Sequence, residues 1–159
     1  MKLVERDIGI ILHNIRSAHN VGAIFRTADA VGVSKIFLTG YTPAPVDRFG
    51  RKRGSIAKTA LGAEETVLYQ QHEDIAGLLL KLQVDGYRII AVEQNSSARF
   101  YKKENIQPPC VFIFGNEVLG IEQEVLSKAD TIIEIPMCGN KESLNVAVVA
   151  GIILFHFFG

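Results

Sequence analysis

Apolar residues recur along this chain in two alternating rhythms. A consecutive run over residues 8–12 (IGIIL) predicts a buried strand. After a polar stretch, Val21, Ile24, Phe25, Ala28 and Val31 fall at i, i+3, i+4, i+7 and i+10. That spacing lays them on one helical face, with Asn20 as the expected N-cap and Gly32 as the stop. Residues 35–39 (KIFLT) predict the next strand. Strand, helix and strand within about thirty residues form a βαβ unit, which implies a parallel sheet.

The alternation continues less regularly. Residues 66–69 predict a short strand, and Ile75, Leu78, Leu79 and Leu82 a second amphipathic helix closed by Asp85-Gly86. The runs YRIIAV (87–92) and CVFIF (110–114) are rich in β-branched and aromatic residues, as strands are. Helix signals follow near 121–129, then a strand over 131–135 (TIIEI) ended by Pro136. The last helix is expected to begin around Ser143 and is apolar on nearly every side. Such a helix must be buried all round, by a partner subunit or by the sheet's own core. About six strands alternating with helices make an α/β sandwich, expected to be one domain over residues 1–159.

Composition removes several classes. With 48% hydrophobic and 21% charged residues the chain is not disordered. Cys110 and Cys138 fit a reducing cytosol, and they share no metal-ligand spacing with His13, His19, His72 or His156, so no metal is expected. The opening MKLVERDIGIIL carries charges where a signal peptide needs its apolar core. The longest apolar stretch, residues 144–158, is interrupted by Asn145, Gly151 and His156 and falls short of the roughly 20 residues a bilayer requires. A cytoplasmic location is expected.

The formal charge is zero but unevenly spread. Residues 1–60 hold ten Lys/Arg against four Asp/Glu, and residues 61–159 seven against thirteen. Within residues 48–58 lie Arg48, Arg51, Lys52, Arg53 and Lys58 with no acid, either a solvated loop or a grip on a polyanion.

Three polar clusters follow predicted strands, where ligands bind in α/β sheets. In the first, HNIRSAHNVGAIFR (13–26), Arg26 stands six residues past Asn20, where its guanidinium can reach back beside the cap. The second, GNEVLGI (115–121), is a glycine-containing turn able to present backbone N–H groups, with Glu117 as a site acid or a solvated one. Gly120 is followed by Ile121 instead of Lys, so this is not a phosphate loop, and no G-x-G-x-x-G or G-x-S-x-G occurs. The third runs from Ile135 to Ala147. Ser143 suits an N-cap there, while Asn145 is an amide heading an apolar helix and needs a hydrogen-bond partner. His156, inside that helix, is expected to pack.

Together, HNVGAIFRTADAVG, FGNEVLGI and IPMCGNKESLNVAVVAGI resemble, in order and spacing, the three motifs of the SpoU-type RNA 2′-O-ribose methyltransferases of the SPOUT superfamily. The resemblance implies a parallel α/β sheet with a C-terminal deep trefoil knot, S-adenosylmethionine as methyl donor, RNA (tRNA or rRNA) as substrate, and a homodimer joined through the last helix. It places catalytic roles on Asn20, Arg26, Glu117, Ser143 and Asn145. Cofactor contacts are implied at Glu93, Gln94, Gly115, Asn116, Ile135, Pro136, Met137 and Leu144. Arg16, Arg48, Arg51, Lys52, Arg53 and Lys58 would grip the RNA. Many relatives carry an extra RNA-binding domain or terminal extension, and a single domain with neither is expected here. The competing expectations are a catalytically silent knotted RNA-binding module and a nucleotide-dependent metabolic enzyme. The missing phosphate and dinucleotide loops count against the enzyme.

Overall fold

The computed structural model describes residues 6–159, and the charges at Lys2 and Glu5 that argue against a signal peptide lie outside them. Seven strands, β1 (Ile8–His13), β2 (Lys35–Thr39), β3 (Tyr69–His72), β4 (Arg88–Val92), β5 (Arg99–Phe100), β6 (Cys110–Phe114) and β7 (Thr131–Glu134), form one sheet in the order β3-β2-β1-β6-β4-β7-β5. Every pairing is parallel. Strand β1 is the topological switch: the chain first builds outward through β2 and β3, then builds the other half beyond β1. There β6 enters between β1 and β4, and β7 between β4 and β5.

Parallel strands need crossovers, so both sheet faces are covered and the strands read as near-continuous apolar runs. The period of two sorts their side chains cleanly. Ile8, Ile10, Leu12, Ile36, Leu38, Ile90, Phe112 and Phe114 pack with α1 (Ala18–Val31), α2 (Gly54–Ala60), α3 (Ala63–Thr66) and α6 (Val146–Phe158). Ile11, Phe37, Ile89, Ala91, Val111 and Ile113 pack with α4 (Ile75–Val84) and α5 (Gln123–Leu126). Cys110 lies within β6, where burial pushes its thiol up to about 12, and Cys138 is exposed and free. None of the described helices is long and apolar enough to cross a membrane.

Local chemistry moves several boundaries from their expected places. Ser17, not Asn20, caps α1, its Oγ accepting the Asn20 N–H at 3.2 Å. The expected strand at 66–69 lies later, at 69–72, because residues 54–66 fold into the short helices α2 and α3. The helix expected near 121–129 is the single turn α5, and β5 is a two-residue strand too short to carry a pattern. Helix α6 starts at Val146, capped by Asn145 instead of Ser143, because the Asn145 Oδ1 accepts from Ala147 N at 2.8 Å and Val148 N at 3.4 Å. His156 is exposed, yet its ring meets those of Tyr101 and Phe157 edge-on at 4.8 and 4.7 Å.

Helices α1 and α2 cross at Gly22. A Cβ there would lie 2.1 Å from Thr59 Oγ1 and 2.3 Å from the Ile56 carbonyl oxygen, so the contact is closed to any larger residue. Thr59 also donates to the His19 carbonyl at 2.9 Å. The prediction is that Gly22→Ala forces α2 away from α1 and destabilises the fold by about 1–3 kcal/mol. A lower urea midpoint at unchanged m would register it, and an unchanged midpoint would show the helices to be loosely joined.

Candidate active site

The loops after β4, β6 and β7, with the start of α6, enclose a cleft of about 420 Å³. It opens beyond the carboxyl ends of parallel strands, where α/β sheets bind ligands, and its size suits a small molecule.

The loop after β6 is internally tied. Asn116 N donates to Gly120 O at 3.2 Å and Gly120 N returns to Asn116 O at 3.0 Å. The Asn116 Oδ1 accepts from Val118 N (2.9 Å) and Leu119 N (2.8 Å), and its Nδ2 donates to Asn14 O and Tyr41 Oη, both at 2.9 Å. In the loop after β4, the Glu93 carboxylate accepts from Gln94 N at 2.8 Å and Ile121 N at 3.0 Å. Gly120 sits at φ +69°, and a Cβ there would fall 2.2 Å from Glu93 Oε2, so only glycine lets the carboxylate seat the loop. Gln94 Nε2 donates to Glu142 O at 2.8 Å and ties the loop leading to α6.

Glu117 joins this loop to α1. Its carboxylate accepts from Arg16 N and Ser17 N, both at 3.1 Å, and from Asn20 Nδ2 at 3.2 Å. Burial pushes the Glu117 carboxyl up, but hydrogen bonds from the Arg16 and Ser17 backbone and from Asn20 outweigh it and hold the group below the usual range. Because Ser17 takes the cap, the Asn20 amide is free to bridge, its Oδ1 accepting from Asn145 Nδ2 at 3.1 Å. Asn145 in turn spends its oxygen on the α6 N-terminus. Each amide's orientation is thus dictated by its neighbour: a carboxylate only accepts, and helix N–H groups only donate.

Of the residues expected around a cofactor, Glu93, Gln94, Gly115, Asn116, Ile135, Met137 and Leu144 line the cleft, and Pro136 does not. Glu117 and Ser143 line it as well, while Asn20 and Asn145 stand behind Glu117. Arg26 does not reach back to the cap. It is exposed on the outer line of α1 with His19 and Ala30, and makes no hydrogen bond or ion pair among the described residues. The residues lining the cleft include the acids Glu93, Glu117 and Glu134 and no Lys or Arg. No cluster that could hold a metal occurs among the described residues.

Two clusters went unpredicted. Buried His13 holds Thr39 Oγ1 through Nδ1 at 2.7 Å and Glu122 Oε2 through Nε2 at 2.9 Å, joining the ends of β1 and β2 to the loop after β6. Only the His-Asn pair at a strand end could have flagged it. The basic segment also differs from the expected bare patch. Asp47, next to it in sequence, pairs with Arg51 at 2.9 Å, and Glu65 from α3 pairs with Lys52 at 2.6 Å. The Arg51 backbone N–H, with lesser help from that of Phe49 and from the Arg51 side chain, holds the Asp47 carboxyl low, and the Lys52–Glu65 contact holds the Glu65 carboxyl low and the lysine high. Arg16, Arg48, Arg53 and Lys58 are exposed, and their side chains have no such partner among the described residues.

Comparison with known proteins agrees with this geometry. The SpoU rRNA Methylase family model matches residues 7–155. The tRNA (guanosine(18)-2′-O)-methyltransferase of Thermus thermophilus is 34% identical over 152 residues, 96% of this chain and 74% of that protein. The 23S rRNA (guanosine-2′-O-)-methyltransferase RlmB of Neisseria meningitidis is also 34% identical over 152 residues, which are 58% of its length. Among solved structures, the A. aeolicus TrmH/SpoU tRNA modifying enzyme superposes with a TM-score of 0.82 at 29% identity, over 94% of this chain and 73% of that one. The AdoMet-bound rRNA methyltransferase from Sinorhizobium meliloti superposes at 0.84 with 27% identity, over 96% and 56%.

The lowered Glu117 carboxyl has a stability consequence of fixed sign. Its contribution is complete above the ordinary carboxylate value of 4.5 and fades as pH falls through the lower folded-state value. Glu117→Gln turns an amide nitrogen toward N–H donors, so a loss of roughly 1–2 kcal/mol is expected at neutral pH. The gap between wild type and variant should close on acidification, as followed by urea denaturation across pH. A gap independent of pH would mean that the carboxylate charge is not what holds the loop.

Proposed function

This chain belongs to the SpoU rRNA methylase family, and from that premise we propose that it transfers a methyl group from S-adenosylmethionine to a ribose 2′-hydroxyl of tRNA or rRNA. The observation that carries the reading is the charge of the cleft. Three carboxylates and no cation suit a ligand bearing a sulfonium and an ammonium, and repel the phosphates of ATP or a dinucleotide. The tRNA and 23S rRNA 2′-O-methyltransferases among the relatives suggest the reaction and the RNA classes.

When bound, S-adenosylmethionine supplies a methyl group on positively charged sulfur with a neutral leaving group. In this reading Ile135, Met137 and Leu144 give the cleft its apolar walls, with Pro136 shaping the turn between them. Gly115 and Asn116 offer backbone contacts, and Glu93 and Gln94 keep their loops in place. Glu117, fixed by three donors, holds Asn20 and through it Asn145, and Ser143 presents its hydroxyl at the cleft wall. Arg26, whose guanidinium offers donors and no acceptor, serves to position the 2′-oxygen and an adjacent phosphate.

Three further features belong to the proposal. The insertion of β6 and β7 between strands laid down earlier supports a C-terminal trefoil knot. Exposed Val148 and Phe155, in line with half-buried Ile152 on α6, support a homodimer through that helix, with Arg26 on the neighbouring α1. The domain would work in the cytoplasm, among substrates like those its relatives are named for.

Calorimetry with S-adenosylmethionine and a methylation assay on bulk RNA test the reading directly. Arg26→Ala is expected to cut transfer at least ~100-fold while cofactor affinity stays close to wild type. Near-normal turnover would remove Arg26 from the site, and absent cofactor binding by the wild type would remove the reaction. RNA affinity should fall steeply with salt. Neutralising Arg48, Arg53 or Lys58 should reduce the log–log slope by about 0.7–0.9 each, and neutralising paired Arg51 or Lys52 by less. Equal effects across all five would mean that the two ion pairs do not withhold charge from RNA.

A further inference from the structure

Resting on the RNA reading above, we propose that Phe49 is a stacking platform for one unpaired RNA base, beside the cleft and before the strand reaches it. Phe49 sits at the tip of a tight hairpin closed by the antiparallel bridge Val46↔Lys52. Asp47 builds that tip: its Oδ1 accepts from Phe49 N at 2.8 Å and Arg51 N at 3.0 Å, and its Oδ2 from Arg51 Nε at 2.9 Å. The backbone is therefore fixed while the ring is left out, 66% exposed and absent from both hydrophobic clusters.

Two guanidiniums lie against that ring, Arg48 at 4.7 Å and Arg51 at 5.0 Å from its centroid. They differ in what else holds them. Arg51 is tied to Asp47, whereas Arg48 has no hydrogen bond or ion pair among the described residues and is free to swing to a phosphate, opening the ring to a base. An aromatic face flanked by cations is the arrangement that binds single strands, because every base has a π-face and every link a phosphate. The path onward is marked by Arg53, at the base of the hairpin, which lines a shallow pocket with Arg16 and Tyr41. The Arg16 N–H is held by Glu117 and the Tyr41 Oη by Asn116, so that pocket adjoins the cofactor loop. The chemistry selects an unpaired nucleotide, since a paired base shows only its edges.

The chain contains no tryptophan, so Phe49→Trp introduces a single reporter. Titration with a single-stranded oligoribonucleotide should quench its fluorescence to saturation, and a duplex of equal phosphate count should not. Phe49→Leu, with Arg48 intact, should weaken single-strand binding on the order of tenfold and leave duplex binding unchanged. No quenching by the single strand, equal quenching by duplex, or an unaltered Leu variant would each overturn the platform. Methyl transfer by the wild type, measured on the same preparations, separates the two claims. Transfer without quenching sinks only the platform, and quenching without transfer upholds the platform while sinking the enzymatic reading.

Discussion

One carboxylate holds the site together. Glu117, on the loop after β6, takes the backbone N–H groups at the entrance of α1 and the Asn20 amide, and Asn20 hands the connection to Asn145 at the head of α6. Asn20 is thereby locked in one mutual orientation with two segments that lie 97 and 125 residues further along the chain. The chain of bonds runs from a group that only accepts to helix N–H groups that only donate, so neither amide can flip without leaving a polar atom unpaired. Partial burial works against the Glu117 charge, and the donors overcome it. A protonated or amide side chain at that position could not hold the same set.

Around this lock the molecule separates its charge. The cleft on one side of Glu117 is walled by acids and apolar groups, while Arg16 and the hairpin carrying Arg48, Arg51 and Arg53 lie toward the other. A small cation and a polyanion can therefore be held next to each other without competing for the same residues. Close packing of α1 on α2 at Gly22 fixes the hairpin's distance from Asn20, because α2 begins directly after Arg53. Asn116, bonded to Tyr41 on one flank and to its own loop on the other, makes the boundary between the two sides a shared wall.

Much of the architecture is legible in the chain. The apolar run at 8–12, the helical face from Val21 to Val31 and the strand at 35–39 each emerge at nearly their expected bounds, since long periodic segments bury a whole face. The failures are local and share a cause. Ser17 and Asn145 displaced Asn20 and Ser143 as caps because capping residues are interchangeable in type and only geometry assigns them. Residues 54–66 were too short in each turn for a period to show, and β5 too brief to have one.

Sequence by itself determined the alternation of strands and helices, the parallel sheet, the three clusters and the excess of cations in the first sixty residues, since all of these depend on local period and composition. Tertiary structure alone decided that Glu117, Asn20 and Asn145 meet, that Arg26 stays outside their network, and that Arg51 and Lys52 are paired with Asp47 and Glu65. The physical reason is range. Periodicity acts over a turn or two of chain, whereas a hydrogen bond or ion pair forms between whatever groups the sheet order brings within about 3 Å.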